Sequence, residues 1–390
     1  MTAGTTTITS ATANFGTDVV GNLIYVSGGT GAVTADWYEI TVRTNSTTIT
    51  VDRSTGLTAG TGVTLNIGGA LLSPAIAAQK ATAGNKVYVK SGTYGMSSTP
   101  NVAAGCMNPT TNNGIHVEGY ASTHGDLGTS PVFRADNNSM TVVLFGGSAH
   151  YVGVVNIKVD GNAKTSVTAF TMSSVRQMIR LCTALGVAVG FEGQGTSACT
   201  RCFADTCTVG FKGRCSFCVA SACTTGFGTT QGTLCTNCVA IGGTTGFQGT
   251  AGQAMCCVNC LAYGQSGDGF DVNQNGTEII NCLAHTCGGF GFDMDASGTN
   301  SAYFLNCFYY SCTSGSDRGT SLASDPLTNA AGGDYSLNSD AAGGALLRQL
   351  GFPGVLLGIS GTTGYMDVGP YQAQATGGML VHPGMSGRIG

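Results

Sequence analysis

A repeat of about 20 residues in the second half of the chain constrains its fold more than any other feature. Aligned on one cysteine per repeat, successive anchor cysteines lie 20, 16, 20, 22, 22 and 25 residues apart. A Gly-Phe pair, which we interpret as turning the chain, follows each of the first four anchors by eight to nine residues. The segments lack helical periodicity and are punctuated by Gly and Asn. This pattern predicts that each repeat is one coil of a parallel β-solenoid, with coils stacked about 4.8 Å apart.

Equivalent residues of stacked coils form ladders, and the repeat predicts four of them. The anchor ladder consists of Cys182, Cys202, Cys218, Cys238, Cys260, Cys282 and Cys307. Five residues later lie Cys207, Cys223, Cys287 and Cys312. Three residues before the anchor lie Ile179, Cys199, Cys215, Cys235, Cys257, Ile279 and Phe304. The residue directly before the anchor is Asn237, Asn259, Asn281 or Asn306 in four coils. Stacked asparagine amides can bond to each other and to the backbone of a turn.

Four of these coils contain the spacing Cys-x-x-Cys, which in another setting is typical of a zinc site. The first cysteine of the pair is replaced by Ile179, Ile279 or Phe304 in flanking coils, so the position requires a buried apolar side chain. Free cysteine behaves as a small hydrophobic residue. We therefore predict packing cysteines, with no metal and no cofactor. A zinc site and disulfides between neighbouring coils are the alternatives.

The composition favours strands along the whole chain. Glycine accounts for 62 of the 390 residues and charged residues for only 9%, whereas β-branched residues and Gly favour strands joined by tight turns. We predict an all-β fold with five parts. These are a small N-terminal β region at 1–70, interpreted as an attachment module, a capping helix at 71–84, a parallel β-helix at 85–315, a C-terminal cap at 316–372 and a Gly-rich tail at 373–390.

Two short segments are predicted to be helical. In the first, Ser73 is the expected N-cap, Pro74 occupies the first helical position and Gly84 ends the helix. The second is "GGALLRQLGFPG" at 343–354. A solenoid needs its ends covered, because open strand edges pair with other chains.

Three stretches together resemble a known superfamily. They are "NKVYVKSGTY" at 85–94, the Asn-Cys coils, and "YMDVGPYQ" at 365–372. In these the chain resembles the right-handed parallel β-helix proteins of the pectate-lyase-like superfamily, over roughly residues 70–372, and proteins of this kind occur in phage tailspikes and virions. The resemblance implies the fold and leaves the activity open, because this architecture serves lyases, glycosidases, surface proteins and tailspikes.

The one local concentration of carboxylates provides weak candidates for catalysis. It consists of Asp268, Asp271, Asp293 and Asp295. Asp271 and Asp293 occupy equivalent places one coil apart, so stacking would raise the pKa of one carboxyl, as a catalytic pair or a cation site requires. The alternative is a pair of solvated aspartates at strand ends. His285 could face the same surface, although a single histidine is more often structural.

The charge pattern argues against two classes of partner. A net charge of −4 with scattered basic residues leaves no footprint for nucleic acid or for an anionic membrane. No run of 18 or more apolar residues is present, and the N-terminus lacks the pattern of a secretory signal. Seventeen cysteines therefore indicate folding in a reducing compartment.

Two functions from different classes fit these observations. The first is a structural virion protein of a bacteriophage, a spike, fibre or capsid-decorating rod made in the host cytoplasm. It would contact other virion proteins and cell-surface polysaccharide, and by analogy with β-helix spikes it would form a homotrimer. The alternative is an extracellular polysaccharide-degrading lyase or glycosidase. A bacterial surface adhesin fits less well.

Overall fold

The structure is a computed structural model that describes most of the chain. The described residues are 6–17, 19–29, 36–56, 62–67, 86–99, 115–122, 125–145, 152–173, 176–229, 233–249, 253–272, 276–294, 302–315, 318–348, 350 and 368–370. The chain divides into two compact units, Met1–Lys80 and Ala81–Gly390. The predicted helix at 71–84, Asp295 and the tail at 373–390 lie outside the described residues.

The first unit contains a five-stranded antiparallel sheet. Its strands, in spatial order, are Thr7–Thr9, Thr48–Val51, Asp36–Asn45, Leu23–Ser27 and Thr64–Ile67. Apolar residues alternate along the strands, so that Ile24, Val26, Tyr38 and Ile49 face one core. An alternation of period two buries one face of a sheet. All five strands lie within residues 1–70.

The second unit contains three parallel sheets, and a complete coil contributes one strand to each in turn. Sheet 1 has ten strands: Lys86–Lys90, His116–Tyr120, Gly153–Val155, Met178–Arg180, Ala198–Thr200, Arg214–Ser216, Thr233–Thr236, Met255–Val258, Glu278–Ile280 and Tyr303–Leu305. Sheet 2 has eleven: Thr93–Met96, Val132–Ala135, Lys158–Asp160, Thr183–Leu185, Phe203–Asp205, Val219–Ser221, Val239–Ile241, Leu261–Tyr263, Leu283–His285, Phe308–Tyr310 and Thr320–Ser321. Sheet 3 has eight: Thr141–Phe145, Thr168–Met172, Val189–Gly193, Val209–Lys212, Thr225–Gly228, Thr245–Gln248, Phe270–Asp271 and Phe292–Asp293.

The second unit is a parallel β-helix. Neighbouring strands within each sheet come from successive coils and pair in parallel, as in the pairing of Cys199 with Cys215 and of Cys215 with Cys235. The predicted all-β fold and its resemblance to parallel β-helix proteins are confirmed at the level of the fold.

A residue with left-handed backbone conformation turns the chain between sheets 1 and 2. In four coils this residue is the predicted asparagine, with φ between 52° and 55°. Asparagine tolerates this conformation better than most residues. Asn259 Nδ2 donates to Asn237 Oδ1 at 3.3 Å, which confirms amide stacking for that pair. A second left-handed residue follows five positions later, for example Thr206 after Arg201, and leads into sheet 3.

The interior is narrow because glycine faces alanine across it. A Cβ atom added to Gly226 would lie 2.6 Å from Gly246 O and 3.1 Å from Ala240 Cβ. The glycine positions are 190, 210, 226, 246, 269 and 291, and the alanines are Ala184, Ala204, Ala220, Ala240, Ala262 and Ala284. Beside them lies a ladder of parallel phenylalanine rings with centroids 4.6 to 5.0 Å apart. The Gly-Phe pairs therefore lie inside strands of sheet 3, and the interpretation of Gly246-Phe247 as a turn is wrong.

The cysteine ladders complete the core. All sixteen described cysteines are free, and fourteen of them are buried. Each anchor thiol also contacts a carbonyl oxygen of the preceding coil, as in Cys218 Sγ to Cys199 O and Cys238 Sγ to Cys215 O, both at 3.5 Å. Burial raises the pKa of Cys182 and of Cys307 to about 12, so these thiols stay protonated at neutral pH. They act as small apolar residues with a weak S–H donor.

The residues after the last coil first extend sheet 2 and then cover it. Thr320–Ser321 adds its final strand, and the chain then forms an antiparallel pair, Leu327–Asn329 and Asp334–Leu337, around the 3₁₀ turn Ala330–Gly332. In the segment predicted to be helical at 343–354, a single helical turn, Gly344–Leu347, forms, and it ends there because Arg348 has an extended backbone. Side chains from this segment pack on the outer face of sheet 2, and the cluster comprises Val219, Val239, Leu261, Leu283, Leu322, Leu327, Ala330, Tyr335, Leu337, Leu347 and Val368.

Substitution of the two cysteines of one coil separates packing from metal binding. Cys235→Val should change the free energy of unfolding by less than about 1.5 kcal/mol, because it replaces one small apolar side chain by another. Cys238→Val should cost more, since it also removes the thiol contact with Cys215 O. Urea unfolding followed by circular dichroism measures both. A Cys235→Val chain that fails to fold, or that loses a bound metal present in the wild type, would contradict the packing role.

Candidate functional site

The outer face of sheet 3 carries a row of polar side chains. Each member follows the phenylalanine of a coil, and parallel register stacks them one coil apart. In chain order the row is Thr171, Glu192, Lys212, Gly228, Gln248, Asp271 and Asp293. Gln248, Asp271 and Asp293 form its last part, which we call the acid end of the row.

Register places the two predicted carboxylates side by side. Asp271 pairs with Asp293, so their Cα atoms are separated by about one strand spacing, roughly 4.8 Å. On the other side, Gln248 Nε2 donates to Asp271 Oδ2 at 3.1 Å, and Thr225 Oγ1 donates to Gln248 Oε1 at 3.2 Å. Three successive coils are therefore joined by one chain of polar contacts from Thr225 to Asp271.

Asp271 has a perturbed carboxyl group. It is half-buried, and burial raises its pKa, with a further contribution from the charge of Asp268, while the hydrogen bond from Gln248 lowers it. A carboxyl with a raised pKa keeps its proton to a higher pH than an ordinary aspartate does. The pair can therefore accept hydrogen bonds and, in its protonated form, donate one to a ligand.

The other members of the predicted cluster have different positions. Asp268 Oδ1 accepts a hydrogen bond from Phe290 N at 2.7 Å, so this carboxylate fixes the backbone entering the next strand of sheet 3. The structure brings Asp271 and Asp293 together and gives Asp268 a structural contact. Gln248 was missed by sequence reasoning, although the residue after each Gly-Phe pair identifies the row from Glu192 onward.

The suggestion that His285 shares a surface with these acids is wrong. His285 lies on sheet 2, whereas Asp271 and Asp293 lie on sheet 3. Its ring is buried beneath the C-terminal segment, with Nε2 2.9 Å from Asp325 Oδ1 and Nδ1 2.7 Å from Thr286 Oγ1. The rings of Tyr263 and Tyr310 lie 5.2 Å away on either side. These contacts give His285 a structural role in attaching the C-terminal segment.

The described residues contain neither a metal-binding cluster nor a membrane-spanning helix. Within them, no group of three or more His, Cys, Asp or Glu side chains is placed to hold a metal ion. No helix in the described part of the chain has the length and apolar character needed to cross a membrane. The acid end of the row is therefore the main candidate site that the carboxylates form.

No protein-family model matches the chain, and no curated protein matches it by sequence. Among solved structures, the chain is similar to pectate lyase Pel9A, with 16% identity, coverage of 78% of this chain and 91% of that one, and a TM-score of 0.46. It is also similar to the A-module of mannuronan C-5 epimerase AlgE4 from Azotobacter vinelandii, with 13% identity, coverage of 62% and 91%, and a TM-score of 0.36. The catalytic domain of a GH87 α-1,3-glucanase gives 8% identity, coverage of 80% of both chains and a TM-score of 0.23. Similarities of this size assign no role to any residue of this chain.

The raised pKa of Asp271 predicts how stability depends on pH. Because its pKa is higher in the folded than in the unfolded chain, the folded state should lose stability as the pH rises from about 4 through the raised value. Asp271→Asn should remove this loss and raise the stability at pH 7 by less than about 1 kcal/mol, since a half-exposed carboxylate is partly screened.

Thermal unfolding between pH 4 and pH 8 measures the effect. Glu192→Gln is the matched control, because Glu192 belongs to the same row but is paired in register with Lys212. An Asp271→Asn chain that is less stable than the wild type at pH 7 would contradict the prediction.

Proposed function

We propose that this chain is a structural β-helix rod of a bacteriophage particle, a spike, fibre or capsid-decorating protein, and that its outer surface binds glycans. In this proposal the N-terminal unit is the part that attaches to other virion proteins. Association of three copies, expected by analogy with β-helix spikes, stays a prediction.

The continuous core supports a structural role. Seven phenylalanines stack along sheet 3 with nearly parallel rings, and each is at most 1% exposed. The phenylalanines are Phe170, Phe191, Phe211, Phe227, Phe247, Phe270 and Phe292. Burial of each ring contributes about 1.5 to 3 kcal/mol, and stacking adds to it. A core of this kind resists local opening, which a protein exposed to proteases outside a cell needs.

The free thiols support synthesis in a reducing compartment. Sixteen unpaired cysteines are compatible with folding in a host cytosol, where thiols stay reduced. A β-helix rod generally works outside a cell, and particles released by lysis reconcile the two conditions. Location in a virion made in the host cytoplasm therefore follows as part of the proposal.

One observation favours a second function, polysaccharide cleavage. The half-buried Asp271, with its raised pKa, lies one strand spacing from Asp293 on the outer face of sheet 3. Glycosidases use two carboxyl groups of different pKa, one as acid and one as nucleophile or base. The separation of the carboxyl oxygens would then decide between retention and inversion.

Two measurements distinguish the functions. The structural role predicts that the protein is present in purified phage particles at a fixed copy number, measured by quantitative mass spectrometry, and that it leaves a panel of bacterial surface polysaccharides uncleaved. Absence from particles, together with a fall in polysaccharide size that Asp271→Asn or Asp293→Asn abolishes, would contradict it and establish the enzyme.

A further inference from the structure

Three arginines are grouped on the outer face of sheet 1. Arg180 ends the strand Met178–Arg180, Arg201 follows the strand Ala198–Thr200, and Arg214 begins the next strand. All three side chains are exposed. We call this group the arginine patch. The sequence separates its members by 21 and 13 residues, so only the coiling of the chain brings them together.

The strand register fixes how close they are. Arg180 pairs with Thr200, and Thr200 pairs with Ser216, so the three arginines belong to three successive coils. At about 4.8 Å per coil the patch extends roughly 10 Å along the axis. This length is close to the Debye length at physiological ionic strength, so the three charges act on a ligand together.

No carboxylate neutralises the patch within the described part of the chain. The neighbouring outward residues of sheet 1 are Met178, Ala198, Thr200, Ser216 and Thr236. None of the three guanidinium groups has a hydrogen-bond or ion-pair partner among the residues that the structure describes. Lys212 on sheet 3 differs, because Glu192 is its register neighbour.

The patch is the centre of a wider charge asymmetry. Seven of the sixteen Lys and Arg residues lie between positions 158 and 214, alongside three acidic residues, and none lies between 215 and 317. Arg201 also occupies the turn position that is asparagine in four other coils, with φ of 54°. A long charged side chain at this position adds no core packing, and its exposed charge is available to a ligand.

We propose that the arginine patch binds a linear anionic polysaccharide that lies along the axis of the β-helix. The planar guanidinium group binds carboxylate or sulfate through two parallel hydrogen bonds. Thr200, Ser216 and Thr236 continue, one coil apart, the outward column that begins at Arg180, and their hydroxyl groups suit the hydroxyl groups of successive sugars. This inference rests on the glycan binding in the proposed function, and adds the chemical class of the glycan and its site.

The same face is poorly suited to nucleic acid. Single strands bind on aromatic side chains that stack with the bases. Across the described strands from Met178 to Thr236 on sheet 1, the outward positions carry no aromatic ring.

The test measures binding of the full-length protein to four probes at low salt. The probes are heparin, polygalacturonate, neutral dextran and a duplex DNA, each followed by calorimetry. The wild type should bind the two anionic polysaccharides and not dextran. In the variant R180Q/R201N/R214Q, R180Q and R214Q retain a long polar side chain, and R201N introduces the residue that four other coils have at this turn. This variant should bind the two anionic polysaccharides about tenfold more weakly.

The matched control is K158Q/K164Q/K212Q, which removes the same number of positive charges from other parts of the surface. It should bind like the wild type, and circular dichroism should show all three proteins folded. Equal weakening in both variants, no weakening in the arginine variant, no binding by the wild type, or tighter binding of DNA would each overturn the inference. Presence of the protein in particles is measured separately, so a failure here leaves the structural role standing.

Discussion

The close approach of a glycine ladder to an alanine ladder determines the rest of this β-helix. A single added methyl group at Gly226 would collide with the backbone of Gly246. Sheets 2 and 3 can therefore approach each other only where sheet 3 has glycine and sheet 2 has alanine. The remaining interior must then be filled by stacked rings and small thiols. Phenylalanine stacks at the spacing of the coils, and cysteine is small enough for the positions beside it. The coil-to-coil spacing of parallel strands sets both ladders.

Because the interior is fixed by stacking, differences between coils appear on the outside. The later strands of sheet 2 carry an apolar cluster on their outer face, which the segment after the last coil covers, and His285 contacts Asp325 at its edge. Sheet 3 carries the polar row that ends at Asp271 and Asp293. Sheet 1 carries the arginine patch. Each of the three faces therefore has a different chemical character on the same core.

The periodic part of the structure could be predicted from the sequence, and the aperiodic part could not. The position three residues before each anchor accepts Ile, Cys or Phe, which identifies a buried ladder without knowledge of the fold. The stacking of Asp271 on Asp293 follows from the same repeat. The contact of His285 with Asp325 joins a residue of a coil to one 40 positions later, in a segment without repeats. No sequence pattern therefore indicates this contact. Arg180, Arg201 and Arg214 appear scattered in the sequence because each occupies a different position of its coil.

Counting free thiols tests the central claim most directly. The protein is purified without reductant, unfolded in the presence of an alkylating agent, and weighed by mass spectrometry, while its metal content is measured on the folded protein. The account predicts that all sixteen described cysteines are alkylated after unfolding and that the folded protein carries no stoichiometric zinc. An alkylated mass that lacks two alkyl groups for each cysteine pair, or one bound zinc ion for every two Cys-x-x-Cys pairs, would contradict the conclusion that these cysteines pack the core.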